Sequence, residues 1–146
     1  MNWKSEAVEK LRQYDAVCCA VRSLPDEIHE LEYAARSLRS PTADKPRGRS
    51  GPNAREDALM NNLVLCQELK HRLDISRLRM ERTAGALKIL SPEERRILEL
   101  LYIRPEVGNL HALCQELQLE QSSVYRRRDQ ALRNFTAALY GVSLDS

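Results

Sequence analysis

A long stretch without proline, residues 55–90, constrains the fold more than any other feature of this chain. Apolar side chains recur in it every seven residues: Leu59, Cys66, Leu73, Met80 and Leu87. This repeat places them on one face of an α-helix, and 36 residues at 1.5 Å each give a rod of about 54 Å. The opposite face is rich in arginine and lysine. A lone rod cannot bury its apolar face, so we expect it to pack against another helix.

Residues 1–39 provide a suitable partner for this rod. Their apolar side chains lie three and four residues apart: Tyr14, Val17, Val21, Leu24, Ile28, Leu31, Ala35 and Leu38. Proline lacks an N–H group and clashes with the preceding turn, so we expect a kink or a new helix start near Pro25. An antiparallel helical hairpin with residues 55–90 is the favoured arrangement, and homodimerisation through the same long helices remains open.

The segment between the two helical regions, residues 40–54, contains three prolines, two glycines and no large apolar side chain. Such a composition is typical of a loop, which here either reverses the chain or forms an ordered clamp on the surface. At the other end of the chain, residues 141–146 are expected to form a short tail.

Composition narrows the class of protein. Hydrophobic residues make up 42% and charged residues 30%, which is unlike a disordered chain. No stretch resembles a signal peptide or a membrane span, so we expect a soluble cytoplasmic protein. The four cysteines are expected to be buried free thiols: Cys18, Cys19, Cys66 and Cys114. Neither a metal site nor a cofactor site is expected, and the absence of a phosphate-binding loop and of a nucleophile–base constellation argues against an enzyme.

A separate unit is expected over residues 91–140. Ser91, Pro92 and Glu94 form the pattern of a capping box at a helix start, and the helix breaks again between Arg104 and Asn109. Two further helices follow, joined by a tight turn. The first has an apolar face of Leu110, Leu113, Cys114 and Leu117, the turn contains the apolar Leu119, and the second helix has a face of Val124, Ala131, Leu132 and Phe135. Helix, short turn and helix is the arrangement that allows the second helix to enter a major groove.

Positive charge is concentrated on that second helix. Residues 121–138 contain four arginines and one aspartate. Four polar residues near its start suit hydrogen bonding to base edges: Gln121, Ser122, Tyr125 and Arg126. Four others are better placed for the DNA backbone: Ser123, Arg127, Arg128 and Arg133. The acidic residues of the preceding helix, Glu93, Glu94 and Glu99, are expected to point away from a bound duplex.

The segments LSPEERRILELLYI and LHALCQELQLEQSSVYRRRDQALRNF resemble region four of bacterial sigma factors, which reads the upstream promoter element. Together with Ser40-Pro41 through Pro46-Arg47-Gly48, they are most similar to the sigma-region-four-like regulators of phages and prophages, such as the ArpU- and RinA-like late-gene activators. The resemblance implies a helix-turn-helix that binds specific DNA sequences and regulates transcription. The chain departs from the pattern in three places. Gln118 replaces the usual turn glycine, Glu120 replaces the usual capping serine or threonine, and one of Arg127 and Arg128 occupies a usually apolar position, so that its stem is expected to pack.

The sequence therefore predicts an all-α protein in which a long, coiled-coil-like hairpin precedes a sigma-region-four-like helix-turn-helix. The expected partner is double-stranded DNA. Two other functions remain open: an oligomeric DNA-packaging protein of the small-terminase kind, and an adaptor that binds RNA polymerase.

Overall fold

The computed structural model describes residues 2–39 and 53–142, and this part of the chain contains α-helices and no β-strand. The helices are α1 (Trp3–Arg39), α2 (Ala54–Ile89), α3 (Pro92–Leu98), α4 (Asn109–Leu117) and α5 (Gln121–Tyr140), with a π-helical turn at Glu99–Ile103. The all-α prediction is confirmed. The predicted loop over residues 40–54 lies outside the described residues except for its last two positions, as does the tail from residue 143 onward.

Helix α1 runs from Trp3 to Arg39 without interruption and contains Pro25. The new helix start that the sequence allowed at Pro25 is therefore absent. A proline inside a helix removes only one backbone hydrogen bond, and the apolar contacts on both sides of it hold the remaining turns together. The kink near Pro25 stays a prediction.

The described residues form two compact units, and α1 and α2 each contribute to both. The smaller unit comprises residues 19–39 and 53–77. Its core combines Ile28 of α1 with three residues of α2: Cys66, Leu69 and Leu73. Cys66 and Leu73 belong to the seven-residue pattern, and Leu69 lies between them, about one helical turn from each. Near the other end of the unit, Arg55 Nε donates to the Leu38 carbonyl at 2.6 Å. Within this unit, the apolar face of α2 is thus buried against α1.

The side of α2 that faces away from this core differs from the expectation. The sequence predicted a face of arginine and lysine, but the apolar residues Met60, Val64 and Ile75 are exposed there. A seven-residue count identifies one apolar face only, so it overlooks apolar residues that fall between its positions.

The larger unit comprises residues 2–18 and 78–142. Its main core draws on α1, α2, α3, the π-helical turn and α5: Ala7, Leu11, Ala86, Leu90, Leu98, Ile103, Ala131, Leu132, Phe135 and Leu139. Trp3 lies against Tyr140 with ring centroids 4.9 Å apart, so the first turn of α1 contacts the last turn of α5. The unit that contains the predicted helix-turn-helix is therefore completed by the first turns of the chain.

The start of α3 has the capping box that the sequence predicted. The Ser91 side chain accepts from the Glu94 N–H at 3.2 Å, and the Glu94 carboxylate accepts from the Ser91 N–H at 3.2 Å, which completes the predicted capping box. The π-helical turn then ends the helical stretch before Arg104. Asn109 at the start of α4 donates to the carbonyls of Leu100 and Arg104 at 2.8 and 2.9 Å and so holds this break closed.

The cysteines only partly follow the expectation. All four are free thiols, but Cys19 is exposed, Cys18 and Cys114 are half-buried, and Cys66 alone among them is buried. The side chain of Cys19 projects from α1 on the side away from Ile28, and its sulfur accepts a hydrogen bond from the Arg22 guanidinium at 3.5 Å. Among the described helices, none has the length and apolar character needed to cross a membrane.

Candidate nucleic-acid interface

The turn between α4 and α5 is three residues long, from Gln118 to Glu120. Gln118 has φ 56° and ψ 45°, and within the described chain it is the only residue other than glycine with positive φ. Its N–H donates to the Cys114 carbonyl, which is the left-handed ending that helices usually make with glycine. The tight turn is thus formed without the glycine typical of sigma factors, at the cost of backbone strain at Gln118.

Leu119 packs beneath this turn, as its apolar character predicted. It contacts a second core made of three fully buried residues from three helices: Ile97 of α3, Leu113 of α4 and Val124 of α5. Because Val124 lies in the first turn of α5, this core fixes the start of α5 relative to α3 and α4.

Glu120 precedes α5 in an extended conformation, with φ −75° and ψ 157°, and its side chain makes no capping hydrogen bond. The first N–H groups of a helix have no partners within the helix. A serine or threonine side chain at this position would accept a hydrogen bond from one of these N–H groups, whereas the Glu120 side chain accepts none. A carboxylate here still favours the positive end of the helix dipole.

The outer face of α5 carries four exposed polar residues spaced one helical turn apart: Ser122, Arg126, Gln130 and Arg133. No carboxylate among the described residues pairs with Arg126 or Arg133, whereas Arg126 donates weakly to Ser123 Oγ at 3.4 Å. Two guanidinium groups with unused donors therefore lie on one helix face, with an amide side chain between them.

The four predicted base-reading residues are divided between two sides of α5. Ser122 and Arg126 belong to the outer face, whereas Tyr125 is half-buried on the neighbouring side. Gln121 Nε2 donates to the Tyr125 hydroxyl at 3.3 Å, and the Arg128 guanidinium lies 4.7 Å from the Tyr125 ring centroid. The structure thus covers one side of the Tyr125 ring and joins its hydroxyl to Gln121.

The residues predicted to contact the DNA backbone also differ in their surroundings. Arg127 is paired with Glu93 of α3, and Arg128 donates to Asp129 at 3.0 Å while it packs on Tyr125. An exposed pair such as Arg127–Glu93 contributes at most about 1 kcal/mol, so it lowers the local positive charge without locking Arg127 in place. The Arg128–Asp129 pair is half-buried. Arg133 is exposed, and Ser123 is half-buried.

Two acidic residues of α3 contact side chains of α5, and the expectation that they point away from a bound duplex stays a prediction. Glu93 contacts Arg127, and the Glu94 carboxylate accepts from Asn134 Nδ2 at 2.6 Å. Asn134 follows Gln130 by one turn and receives a hydrogen bond from it at 3.1 Å. These contacts border the outer face of α5, so one flank of the face is acidic.

Gln130 is the residue that sequence reasoning missed on this face. It lies four residues after Arg126 and three before Arg133, which is the spacing of neighbours on one helix side. That spacing was the available signal.

The helices around the interface are joined by ion pairs on the protein surface. Arg96 Nε of α3 donates to Glu116 of α4 at 3.2 Å, and this carboxylate raises the pKa of Arg96. Arg104 bonds to Asp15 of α1 at 3.0 Å and to Glu99 at 2.9 Å, and the hydrogen bond to Asp15 is the main cause of its raised pKa. Both arginines remain charged at every physiological pH.

No group of three or more histidine, cysteine, aspartate or glutamate side chains in the described ranges is arranged to hold a metal ion. Comparison with known proteins gave no match to a family model, to a curated protein or to a solved structure. The case for a nucleic-acid interface rests on the residues and geometry of α4 and α5.

Proposed function

We propose that this protein is a sequence-specific DNA-binding transcription regulator, encoded by a phage or prophage, and that α5 reads the major groove. The observation that carries the proposal is the combination of a three-residue turn before α5 with an outer α5 face of Ser122, Arg126, Gln130 and Arg133. In this proposal α4 and α5 are the helix-turn-helix, and α1 and α2 form a long, coiled-coil-like hairpin that precedes it. The resemblance to sigma region four supports the helix-turn-helix.

Each residue of the face has a role that follows from its chemistry. Arg126 reads a guanine through two hydrogen bonds, because its guanidinium has unused donors on the outer face. Ser122 and Gln121 contact neighbouring bases from the first turn, and Gln130 adds an amide one turn later. Tyr125 acts mainly by holding Gln121, to which it is hydrogen-bonded.

The remaining basic residues supply affinity without sequence information. Arg133 contacts a phosphate directly. Arg127 does so after leaving Glu93, an exchange that costs little because this ion pair lies on the surface. Arg128 does so after leaving Asp129, with which it forms a half-buried ion pair. Ser123 donates its hydroxyl to the backbone near the start of the helix.

Selection of bound duplexes from a random library at about 150 mM salt tests the proposal directly. We expect a short enriched motif. Arg126→Ala should weaken binding to that motif by about 1–3 kcal/mol and relax the preference at one base pair. Arg133→Ala should weaken binding to all sequences alike and reduce the salt dependence.

Arg36→Ala is a matched control, since Arg36 is an exposed arginine of α1 in the smaller unit. It should leave both the motif and the affinity unchanged. Retention of DNA without an enriched motif, or equal losses in the Arg126 and Arg36 variants, would contradict sequence-specific reading by α5.

An oligomeric DNA-packaging protein of the small-terminase kind is the second candidate. The observation that favours it is the exposed apolar side of α2, which suits assembly. A ring-sized mass in solution would select this function. Binding to RNA polymerase with no affinity for duplex DNA would instead select the adaptor function.

A further inference from the structure

A cavity of about 230 Å³ lies within the larger unit, between α1 and α2 and next to the last turns of α5. Most of its lining comes from α1, while α2 contributes Arg79, Arg82 and Thr83, and α5 contributes Leu139. None of these residues belongs to the outer face of α5, so the cavity is separate from the candidate nucleic-acid interface. Because an apolar cavity of about 150 Å³ holds a molecule of benzene, this volume accommodates a small organic molecule.

One buried hydroxyl group in the lining of this cavity lacks a hydrogen-bond partner. Thr83 is only 4% exposed, and its side chain forms no hydrogen bond with another residue of the described chain. Thr136 of α5, which is buried as well, instead donates to the Leu132 carbonyl at 2.6 Å. Buried hydroxyl groups in proteins are normally hydrogen-bonded. Since Thr83 lines the cavity, a molecule bound there is placed to supply the partner.

Three cationic side chains line the same cavity: Lys10, Arg79 and Arg82. None of them forms an ion pair with a carboxylate of the described chain. The half-buried Lys10 ammonium lies 5.2 Å from the ring centroid of Tyr140. Burial lowers the pKa of Lys10, and the charges of Arg82 and Arg79 lower this pKa further. Like charges held this close together favour the binding of an anion between them.

The cavity is also lined by groups that repel an anion but accept hydrogen bonds. Glu6 and Glu9 of α1 contribute carboxylates to the lining, and Glu9 accepts a hydrogen bond from Gln13 Nε2 at 3.1 Å. Neither carboxylate is paired with a cationic side chain within the described ranges. Carboxylates form strong hydrogen bonds with hydroxyl groups. A ligand that has an anionic end and a hydroxylated end therefore matches both kinds of group.

We propose that this cavity binds a small phosphorylated polyol, such as a sugar phosphate. The phosphoryl oxygens of the ligand accept hydrogen bonds from the three cationic side chains, and its hydroxyl groups donate to Glu6 and Glu9. The hydroxyl of Thr83 donates to a further oxygen of the ligand. A phosphoryl group suits this site better than a carboxylate does, because it brings three acceptor oxygens and nearly two negative charges to three cationic donors.

The inference goes beyond the proposed function and does not require it, because the cavity uses no residue of the outer face of α5. Leu139 lines the cavity and also belongs to the main core of the larger unit, together with Phe135 of the same helix. A ligand that binds only the folded chain therefore stabilises the unit that contains α5. Ligand binding is measured without DNA, so failure of one proposal is distinguishable from failure of the other.

Isothermal titration calorimetry of the full chain with ribose 5-phosphate as the probe tests the proposal. We expect saturable binding at one site. Ribose and inorganic phosphate, titrated separately, should each bind at least ~10-fold more weakly, because each lacks the groups that contact one part of the lining. The same probe should raise the thermal unfolding midpoint of the chain, and this rise should grow with the concentration of the probe.

Substitutions locate the site. Arg79→Gln combined with Arg82→Gln should weaken binding of ribose 5-phosphate at least ~10-fold, because two charged donors to the phosphoryl group are lost. Arg77→Gln is the matched control, since Arg77 is an exposed arginine of α2 that does not line the cavity, and it should leave the affinity unchanged. Thr83→Val should also weaken binding, because it removes the hydroxyl but keeps the branched shape. Circular dichroism checks that each variant keeps its helices.

Three results would overturn the proposal. The first is the absence of saturable binding of ribose 5-phosphate, and the second is an equal loss of affinity in the control and in the double arginine variant. The third is inorganic phosphate binding as tightly as ribose 5-phosphate, which would show that the site recognises the anion and not a phosphorylated polyol.

Discussion

At the scale of single residues, Gln118 has the most unusual backbone conformation of the candidate interface. A left-handed conformation is costly for a residue with a Cβ atom, and the turn between α4 and α5 requires it. The core formed by Ile97, Leu113 and Val124 holds both helices in place, so the turn keeps its geometry despite the strain. The sequence identified this position as a departure from the sigma-factor pattern, and the backbone dihedral angles show how the chain accommodates it.

Replacing Gln118 by glycine should stabilise the protein by about 0.5–1 kcal/mol, since glycine adopts positive φ without steric cost. Thermal or denaturant unfolding measures the change. Gln115→Gly is the control, because Gln115 is an exposed residue in the middle of α4 and glycine there should destabilise by about 1 kcal/mol. Destabilisation by Gln118→Gly would show that the turn is not left-handed at this residue.

At the scale of elements, α1 is the helix that departs most from the sequence prediction. Pro25 lies well inside it, where it removes the hydrogen bond that the Val21 carbonyl would otherwise accept. The helix continues because Ile28 on the far side of Pro25 is buried with α2 residues of the smaller unit. Tertiary packing thus overrides a local signal that predicts a helix boundary.

Pro25→Ala should stabilise α1 by about 1–3 kcal/mol, because it restores the missing hydrogen bond and removes the clash with the preceding turn. The gain is partly offset by the greater freedom of the unfolded chain. Denaturant unfolding followed by circular dichroism is the measurement. Ser23→Ala, an exposed change in the same helix, should shift stability by no more than about 0.5 kcal/mol. A loss of stability in Pro25→Ala would contradict a continuous α1.

At the scale of the whole molecule, the larger unit joins distant parts of the chain. Ala7 and Leu11 of α1 are fully buried in the same core as Leu98 and Phe135. The three-helix region after residue 91 thus shares its main core with the first turns of α1 and the last turns of α2. The predicted boundary at residue 91 stays a prediction. The apolar pattern of residues 1–39 predicted burial but did not reveal which residues would cover it.

Leu11→Ala should destabilise the unit that contains α5 by about 2–5 kcal/mol, because it removes a fully buried side chain from the shared core. The readout is the thermal unfolding midpoint, together with the temperature at which DNA binding is lost. Val107→Ala shortens a fully exposed side chain and should leave the midpoint almost unchanged. If the unfolding midpoint of Leu11→Ala is no lower than that of this control, packing of α1 does not stabilise the unit that contains α5.

Local sequence patterns predicted the helical class, the capping box at Ser91, the short turn at Gln118 and the buried face of α5. These depend on local chemistry and on periodicity, which neighbouring residues specify together. Only the tertiary structure decided that Arg127 pairs with Glu93, that Tyr125 lies half-buried beneath Arg128, and that Met60, Val64 and Ile75 remain uncovered. The reason is physical. Periodicity assigns a residue to a face of its own helix, whereas what lies opposite that face depends on segments far away along the chain.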